Sequence, residues 1–408
     1  MRRTLVILVI LGLFGMMAAE VASAEAIIKI NDKAHLDLGI RIQPYYINKD
    51  FDVDGDGEWD TITDYKTRRA RLRLKAVIGE YVTAFIQSEV SGSPGTALGE
   101  PARIIDAYVA LKAHDWFRFY TGLNMAPVFR QNLTSSGAML AAERPSMTYK
   151  NLSWGNRAFV NFATSTLPGA DSGIRVPAQV RDTGVTLFGS GKLGESKASL
   201  KYYLGAYDGV QTSGEHNDRY TGRVQLNFFD REAGYYNLAT YLGKKKTIGI
   251  GAAFDTQKSI AATTGGETVD YMVFTADAFC EWPLENGMSL TLEGGWSQLD
   301  LDDAQDVVIA VTSTGSTDWR TVQGSGFYVQ GGLLVKDKWQ PWAEFEQWAS
   351  DGVEDAGSFT IYRVGVSYFI EGQNANLKLG FENLSTEVPI VGEEDSQKTI
   401  LLGTYITY

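Results

Sequence analysis

The 408-residue chain contains one cysteine, Cys280, and three histidines, His35, His114 and His216. A lone thiol closes no intrachain disulfide, so cross-links do not hold this fold together. Three imidazoles leave little material for acid–base chemistry. Only His216, beside Glu215 and Asp218, sits where a loop could present a base, and no enzymatic activity is expected. Long apolar runs are missing beyond the N-terminus, which excludes a helix of the roughly 20 apolar residues that a bilayer span requires. Positive charge is in deficit: 37 Lys and Arg against 49 Asp and Glu leave a net charge of −12, which argues against a nucleic-acid partner. No Pro- or Ser-rich linker divides the chain, so it reads as one large domain.

The two ends carry signals of their own. Arg2 and Arg3 precede an apolar run from Leu5 to Ala19 and then Ala22-Ser23-Ala24, the three-part plan of a secretory signal peptide. Residues 1–24 are therefore expected to be removed, leaving 25–408 as the mature domain. At the other end, TILLGTYITY places Ile400, Leu402, Thr404, Ile406 and Tyr408 on one strand face and closes on an aromatic. Such an ending resembles the last strand of bacterial outer-membrane barrels.

Between the ends, a period of two recurs. Leu36, Leu38, Ile40 and Ile42 alternate with Asp37, Gly39, Arg41 and Gln43, and similar stretches follow at 82–89, 105–112, 220–228, 272–282, 290–296, 360–369 and 377–381. Aromatics such as Trp116, Trp282, Trp339 and Tyr368 fall at strand ends, where interfacial girdles would stand. Short turns at 78–80, 113–115, 283–286, 336–338 and 371–374 alternate with long connections at 48–64, 92–102, 124–180, 299–323 and 385–397. Short periplasmic turns and long external loops are the plan of outer-membrane barrels, which use an even number of strands. Reading 230–246 as one periplasmic connection makes the count even. The expectation is an all-β, 16-stranded antiparallel transmembrane β-barrel in the outer membrane of a Gram-negative-type bacterium, surrounded by lipid and lipopolysaccharide.

Within it, YKTRRARLRLKA (65–76) makes every second residue from Arg69 to Lys75 cationic: Arg69, Arg71, Arg73 and Lys75. On a strand these share one face. A Lys or Arg on the lipid face costs about 2–4 kcal/mol at the midplane, so four would cost roughly 8–16 kcal/mol, as much as a whole protein's stability. The row must face the lumen, where Arg41 and Arg118 are expected to join it as pore-lining residues of an anion pathway. Glu89 and Asp106 share that wall, and a structural lattice of cross-strand ion pairs is the competing reading. Asp277, Glu281, Glu293, Glu344, Glu346 and Glu382 point inward from the C-terminal half, dividing the interior by sign.

The connection 124–180 is the candidate constriction, folded inward. Arg130, Arg144 and Lys150 stand with neutral donors at Asn132, Ser135 and Ser136, a set suited to an oxyanion, although a lid packed on the rim would use similar residues. In the first external loop, Asp52, Asp54, Asp56, Glu58 and Asp60 follow the spacing of a calcium loop, with Thr63 where the bidentate Glu should be. Calcium there and a solvated acidic turn are both open, and no other cofactor is required.

RRARLRL on the second strand, TGLNMAPVFRQNLTSSG with AERP and SWGNR in the long loop, and GYYNLATYLGKKK after Asp230 resemble the phosphate-selective porin O and P family. The resemblance covers essentially the whole mature chain. It implies a homotrimeric 16-stranded barrel whose third external loop narrows the pore, with anions guided along inward arginines that Arg69, Arg71 and Arg73 would match. Passive diffusion of small hydrophilic solutes follows, with a preference for phosphate or other oxyanions. A non-selective general porin and a non-conducting barrel adhesin are the alternatives.

Overall fold

The computed structural model describes residues 26–90, 102–145, 180–209, 217–263, 265–302, 307–308, 316–317, 323–352, 357–388 and 396–408. The expected signal peptide, Lys150 and the rest of the long loop from 146 to 179 lie outside the described residues, as do Glu215 and His216.

Nineteen strands form one sheet: β1 (Ala26–Asn31), β2 (Ala34–Phe51), β3 (Asp60–Ile78), β4 (Val82–Val90), β5 (Arg103–His114), β6 (Phe117–Met125), β7 (Arg181–Lys192), β8 (Ala198–Tyr207), β9 (Arg219–Phe229), β10 (Thr247–Thr263), β11 (Thr268–Pro283), β12 (Ser289–Asp300), β13 (Val307–Val308), β14 (Ser316–Thr317), β15 (Gly324–Leu334), β16 (Trp339–Ser350), β17 (Phe359–Glu371), β18 (Ala375–Thr386) and β19 (Ser396–Thr407). Sixteen of these, β2–β12 and β15–β19, pair antiparallel in sequence order, with β12 joined to β15. The sheet closes where β19 pairs with β2, from Thr399 against Lys49 to Thr407 against Arg41. Closure leaves no long unpaired edge, the condition for strands to cross hydrocarbon. The remaining edge of β2 is taken by β1, a hairpin partner from Ala26 opposite Leu38 to Asn31 opposite Ala34.

The alternation sorts the side chains as expected. Leu72, Ile86, Val109, Phe119, Leu204 and Val224 are exposed on the outer face, whereas Arg69, Gln87, Asp106, Thr186 and Arg223 are buried within. Girdle pairs stand at the short-turn ends: Trp116 stacks on Tyr202, Trp339 lies 4.5 Å from Tyr368, and Phe229 meets Trp282 with Lys246 above the indole.

Two connections turn inward instead of capping the ends. One is 126–145, which contains the single helical turn α1 (Arg130–Leu133) and is almost entirely buried. The other is 230–246, on the opposite end, where Glu232, Tyr235, Asn237, Ala239 and Thr240 are buried.

Candidate functional site

Register fixes where each cation of the row stands. Arg69, Arg71, Arg73 and Lys75 pair across β2 with Gln43, Arg41, Gly39 and Asp37. A bulge in β3 opposite Gln43 and Pro44 adds one residue, Arg68, to that face. Arg68 and Arg69 both bond Glu143 of the inward segment, at 2.7 and 2.6 Å. Arg71 bonds Glu89 on β4 at 2.7 Å, and Arg103 reaches the other oxygen of the same carboxylate at 3.2 Å. Lys75 bonds Asp37 at 2.9 Å, and Arg118 bonds Asp115 in the turn below it at 2.9 Å. Arg41 and Arg73 differ. Arg41 is held by the hydroxyls of Ser135, Ser136 and Thr407, and Arg73 makes no hydrogen bond or ion pair among the described residues, its Nε lying buried without a partner.

The inward segment is bolted to both walls. Ser136 Oγ accepts from Arg41 at 2.6 Å and from Arg71 at 2.9 Å, and its carbonyl accepts from Gln43 at 2.8 Å. Gly137 beside it leaves room for the Arg41 guanidinium, which a Cβ there, 2.7 Å away, would displace. On the far side, Thr275 donates to the Val128 carbonyl, Gln131 to Glu293, and Lys378 to the carbonyls of Met139, Leu140 and Ala141. Asn132 ties the turn to itself through Phe129 and Ala126, and Arg144 donates to the Gln131 carbonyl at 2.9 Å. Bonds to β2, β3, β11, β12 and β18 place the segment across the lumen.

Burial alone would raise the Glu143 carboxyl, but the guanidinium groups of Arg68 and Arg69 outweigh it and hold the group well below the usual carboxylate range. A depressed folded value means that this anchor is complete above the unfolded value near about pH 4 and is lost only as pH falls through the lower one. Single-channel conductance is therefore expected to stay level from neutral pH down to about pH 4. A conductance step between about pH 5 and 4 would show that Glu143 is not held in this way.

The periplasmic connection meets this segment from below. Asn237 donates to the Leu133 carbonyl and accepts from Ser135, both at 2.9 Å, forming a bridge with Thr134, and Ala239 donates to the Ala138 carbonyl at 3.0 Å. Arg130 clamps the two: its Nη1 and Nη2 donate to the two oxygens of Glu232 at 2.9 and 2.8 Å, while its backbone N–H donates to Asp277 at 3.1 Å. The strand order puts 230–246 at the barrel end that carries the short turns, as the sequence reading has it, but that reading does not show that the connection enters the barrel. Its buried Glu232 and small, unbranched Ala239 were the available signals.

The inward acids of the C-terminal half are tied into bonding networks. Asp277 is bonded by Arg223, and Arg363 gathers Glu344, Glu346 and Glu382. Arg219 joins Asp182 and Asp255. Arg363 went unremarked in the sequence although the same alternation puts it inside. In the acidic external loop, the carboxylates of Asp52, Asp54 and Asp56 come within 4.8 Å of one another. Asp52 already accepts from Gly55 and Gly57, Asp56 accepts from Glu58, Asp60 opens β3, and Thr63 is paired with Asn48 in the sheet. The twelfth-position carboxylate of a calcium loop has no counterpart there.

Residues 40–226 match the family model of the phosphate-selective porins O and P. Among solved structures, the anion-selective porin from Comamonas acidovorans superposes with a TM-score of 0.58 at 14% identity, over 92% of this chain and 100% of that one. The outer membrane channel DcaP of Acinetobacter baumannii gives 0.51 at 15% identity, over 93% and 99%. The in-vitro folded OmpT of Vibrio cholerae, in its trimer form, gives 0.52 at 12% identity, over 92% and 100%. No curated protein matches the sequence. At such identities the likeness to solved structures is one of fold, and it spans the whole barrel. The chain folds as a barrel of the outer-membrane porin type, and its residues 40–226 match the phosphate-selective porin O and P family.

Proposed function

We propose that the barrel passes small hydrophilic solutes by diffusion and prefers anions, which follow the wall formed by β2 and β3. The observation that carries this reading is that Arg41 and Arg73 face the lumen with no carboxylate partner among the described residues, so their charge is not cancelled locally. Selectivity is set by such charges at the narrow zone and not by the net charge of the chain. Arg69, Arg71, Lys75 and Arg118 are ion-paired and contribute to the field mainly through their number. In the inward segment, the hydroxyls of Ser135 and Ser136 accept from Arg41 and hold it without cancelling its charge, whereas Arg130, Asn132 and Arg144 hold the segment's shape. A homotrimer is proposed on the family pattern, which the trimer form of OmpT parallels.

The test is the zero-current potential of single channels in a KCl gradient, repeated with phosphate as competitor. An anion-selective potential is expected, with chloride current reduced by phosphate. A cation-selective potential overturns the reading. A potential of zero favours a general porin, and the absence of conductance favours a non-conducting barrel.

A further inference from the structure

Below the level at which the inward segment touches β3, the wall changes character. Running from β3 to β7, the inward side chains at this height are Arg73, Phe85, Tyr108, Tyr120, Arg118 and Phe188. Phe85 lies 5.3 Å from Tyr108, Tyr108 lies 5.3 Å from Tyr120, and Tyr120 lies 6.1 Å from Phe188. A guanidinium stands at each end of this ladder, Arg73 at 5.9 Å from the Phe85 ring and Arg118 at 5.5 Å from the Phe188 ring.

One end of the ladder is packing and the other is open. Phe188 is fully buried against Tyr203 and Tyr235 and belongs to a compact aromatic cluster. Tyr120 packs against the same cluster, 4.5 Å from Tyr235, whereas Phe85 and Tyr108 are half-buried while their outward neighbours Ile86 and Val109 take the lipid face, so their exposed parts look into the lumen. Neither the Tyr108 nor the Tyr120 hydroxyl has a hydrogen-bond partner among the described residues. Gly122, opposite Tyr108 on β6, leaves the adjoining inward position bare. Its φ of +113° and a Cβ position 2.4 Å from the Ala107 carbonyl oxygen admit no side chain. The guanidinium of Arg73 has the Phe85 ring beside it and no hydrogen-bond or ion-pair partner among the described residues, its Nε being buried.

These features suit a particular solute. The face of an aromatic ring carries negative potential, so it offers a hydrated inorganic anion nothing. An anion with a flat apolar body can place its carboxylate on the open guanidinium fork and lay its ring along the ladder. We propose that Arg73, Phe85 and Tyr108 form a binding subsite for planar organic anions of the aromatic carboxylate class. This assignment rests on the anion-porin reading and names the solute class that the reading leaves open.

Benzoate, acetate and inorganic phosphate, each added to the full-length barrel in a planar bilayer at fixed KCl, test it. Two ring contacts make benzoate block chloride current at about tenfold lower concentration than acetate. In Tyr108→Leu, and independently in Phe85→Leu, that ratio is expected to fall to about twofold. Equal potency of benzoate and acetate overturns the subsite, and so does a ratio that both variants leave unchanged. The zero-current potential of the unmodified channel in KCl alone is read first. If it is cation-selective, the parent reading has failed. If it is anion-selective while benzoate and acetate are equal, only the aromatic subsite has failed.

Discussion

Replacing Arg130 with methionine will release the inward segment from the periplasmic connection while the barrel itself stays assembled. Arg130 is 1% exposed, and it grips Glu232 with both ends of its guanidinium fork while donating from its backbone to Asp277. Methionine keeps the backbone bond and much of the volume but takes the paired cation from Glu232, leaving it to Gln225, Asn227 and Tyr241, and removes the guanidinium that lies 3.5 Å from Glu293. In the intact protein burial would raise that group, yet Arg130 outweighs burial and holds it well below the usual range. Removing one member of a buried pair leaves an uncompensated charge, at a cost of about 3–5 kcal/mol. The sixteen-strand ladder does not include Arg130, so the loss falls on the junction between 126–145 and 230–246. The expected result is a larger and noisier single-channel conductance with the folded, heat-modifiable species retained on gels. Adding Glu232→Gln to the same variant removes the stranded charge and should recover much of the quiet, narrow state. Unchanged conductance in Arg130→Met would mean that the contact does not hold the pore narrow.

The barrel was legible because lipid punishes errors of alternation. Leu72 outside and Arg71 inside follow from one rule, and that rule also contained Arg363, whose inward place needed no further information. Parity of the strand count identified 230–246 as a single connection, but a connection's length does not say whether it hangs outside or enters the lumen. That depends on whether Glu232 finds Arg130, more than a hundred residues away in sequence, and no local pattern encodes the meeting. The bulge at Arg68 was hidden for a related reason. A pair of adjacent arginines reads as one inside and one outside until the register against Gln43 and Pro44 is known. The sequence also shows which face a charge takes and not which charges meet. Glu89 and Asp106 were visible as neighbours of the row, yet only the structure assigns Glu89 to Arg71 and Arg103, and Asp106 to Gln87 and Arg181.

Charge reversal at Arg73 will move the selectivity of the channel further than the same change at Arg69, and for a different physical reason. Arg69 is 2% exposed and bonded to Glu143, so Arg69→Glu would set two carboxylates side by side in a buried site. That change acts first on the attachment of the inward segment, and a poorly assembled or widened pore is the expected result. Arg73 has no carboxylate partner among the described residues and stands on the inward face of β3. Arg73→Glu changes the local charge by two units without stranding a partner. At about 4 Å one unit pair is worth about 1 kcal/mol in water, so the reversal is worth about 2 kcal/mol at low salt. The permeability ratio of chloride to potassium is then expected to drop about thirtyfold at 0.1 M salt or below, and by much less near 1 M, where the screening length shrinks to about 3 Å. Folding and heat-modifiability should be those of the parent. The measurement is the zero-current potential at both ionic strengths, and a potential that does not move at low salt would place the anion path away from this wall. Because Arg41 and Arg73 flank the paired Arg71, the double variant Arg41→Gln/Arg73→Gln should remove most of the preference while leaving the ion-paired residues of the row in place, separating the charges that select from the charges that build.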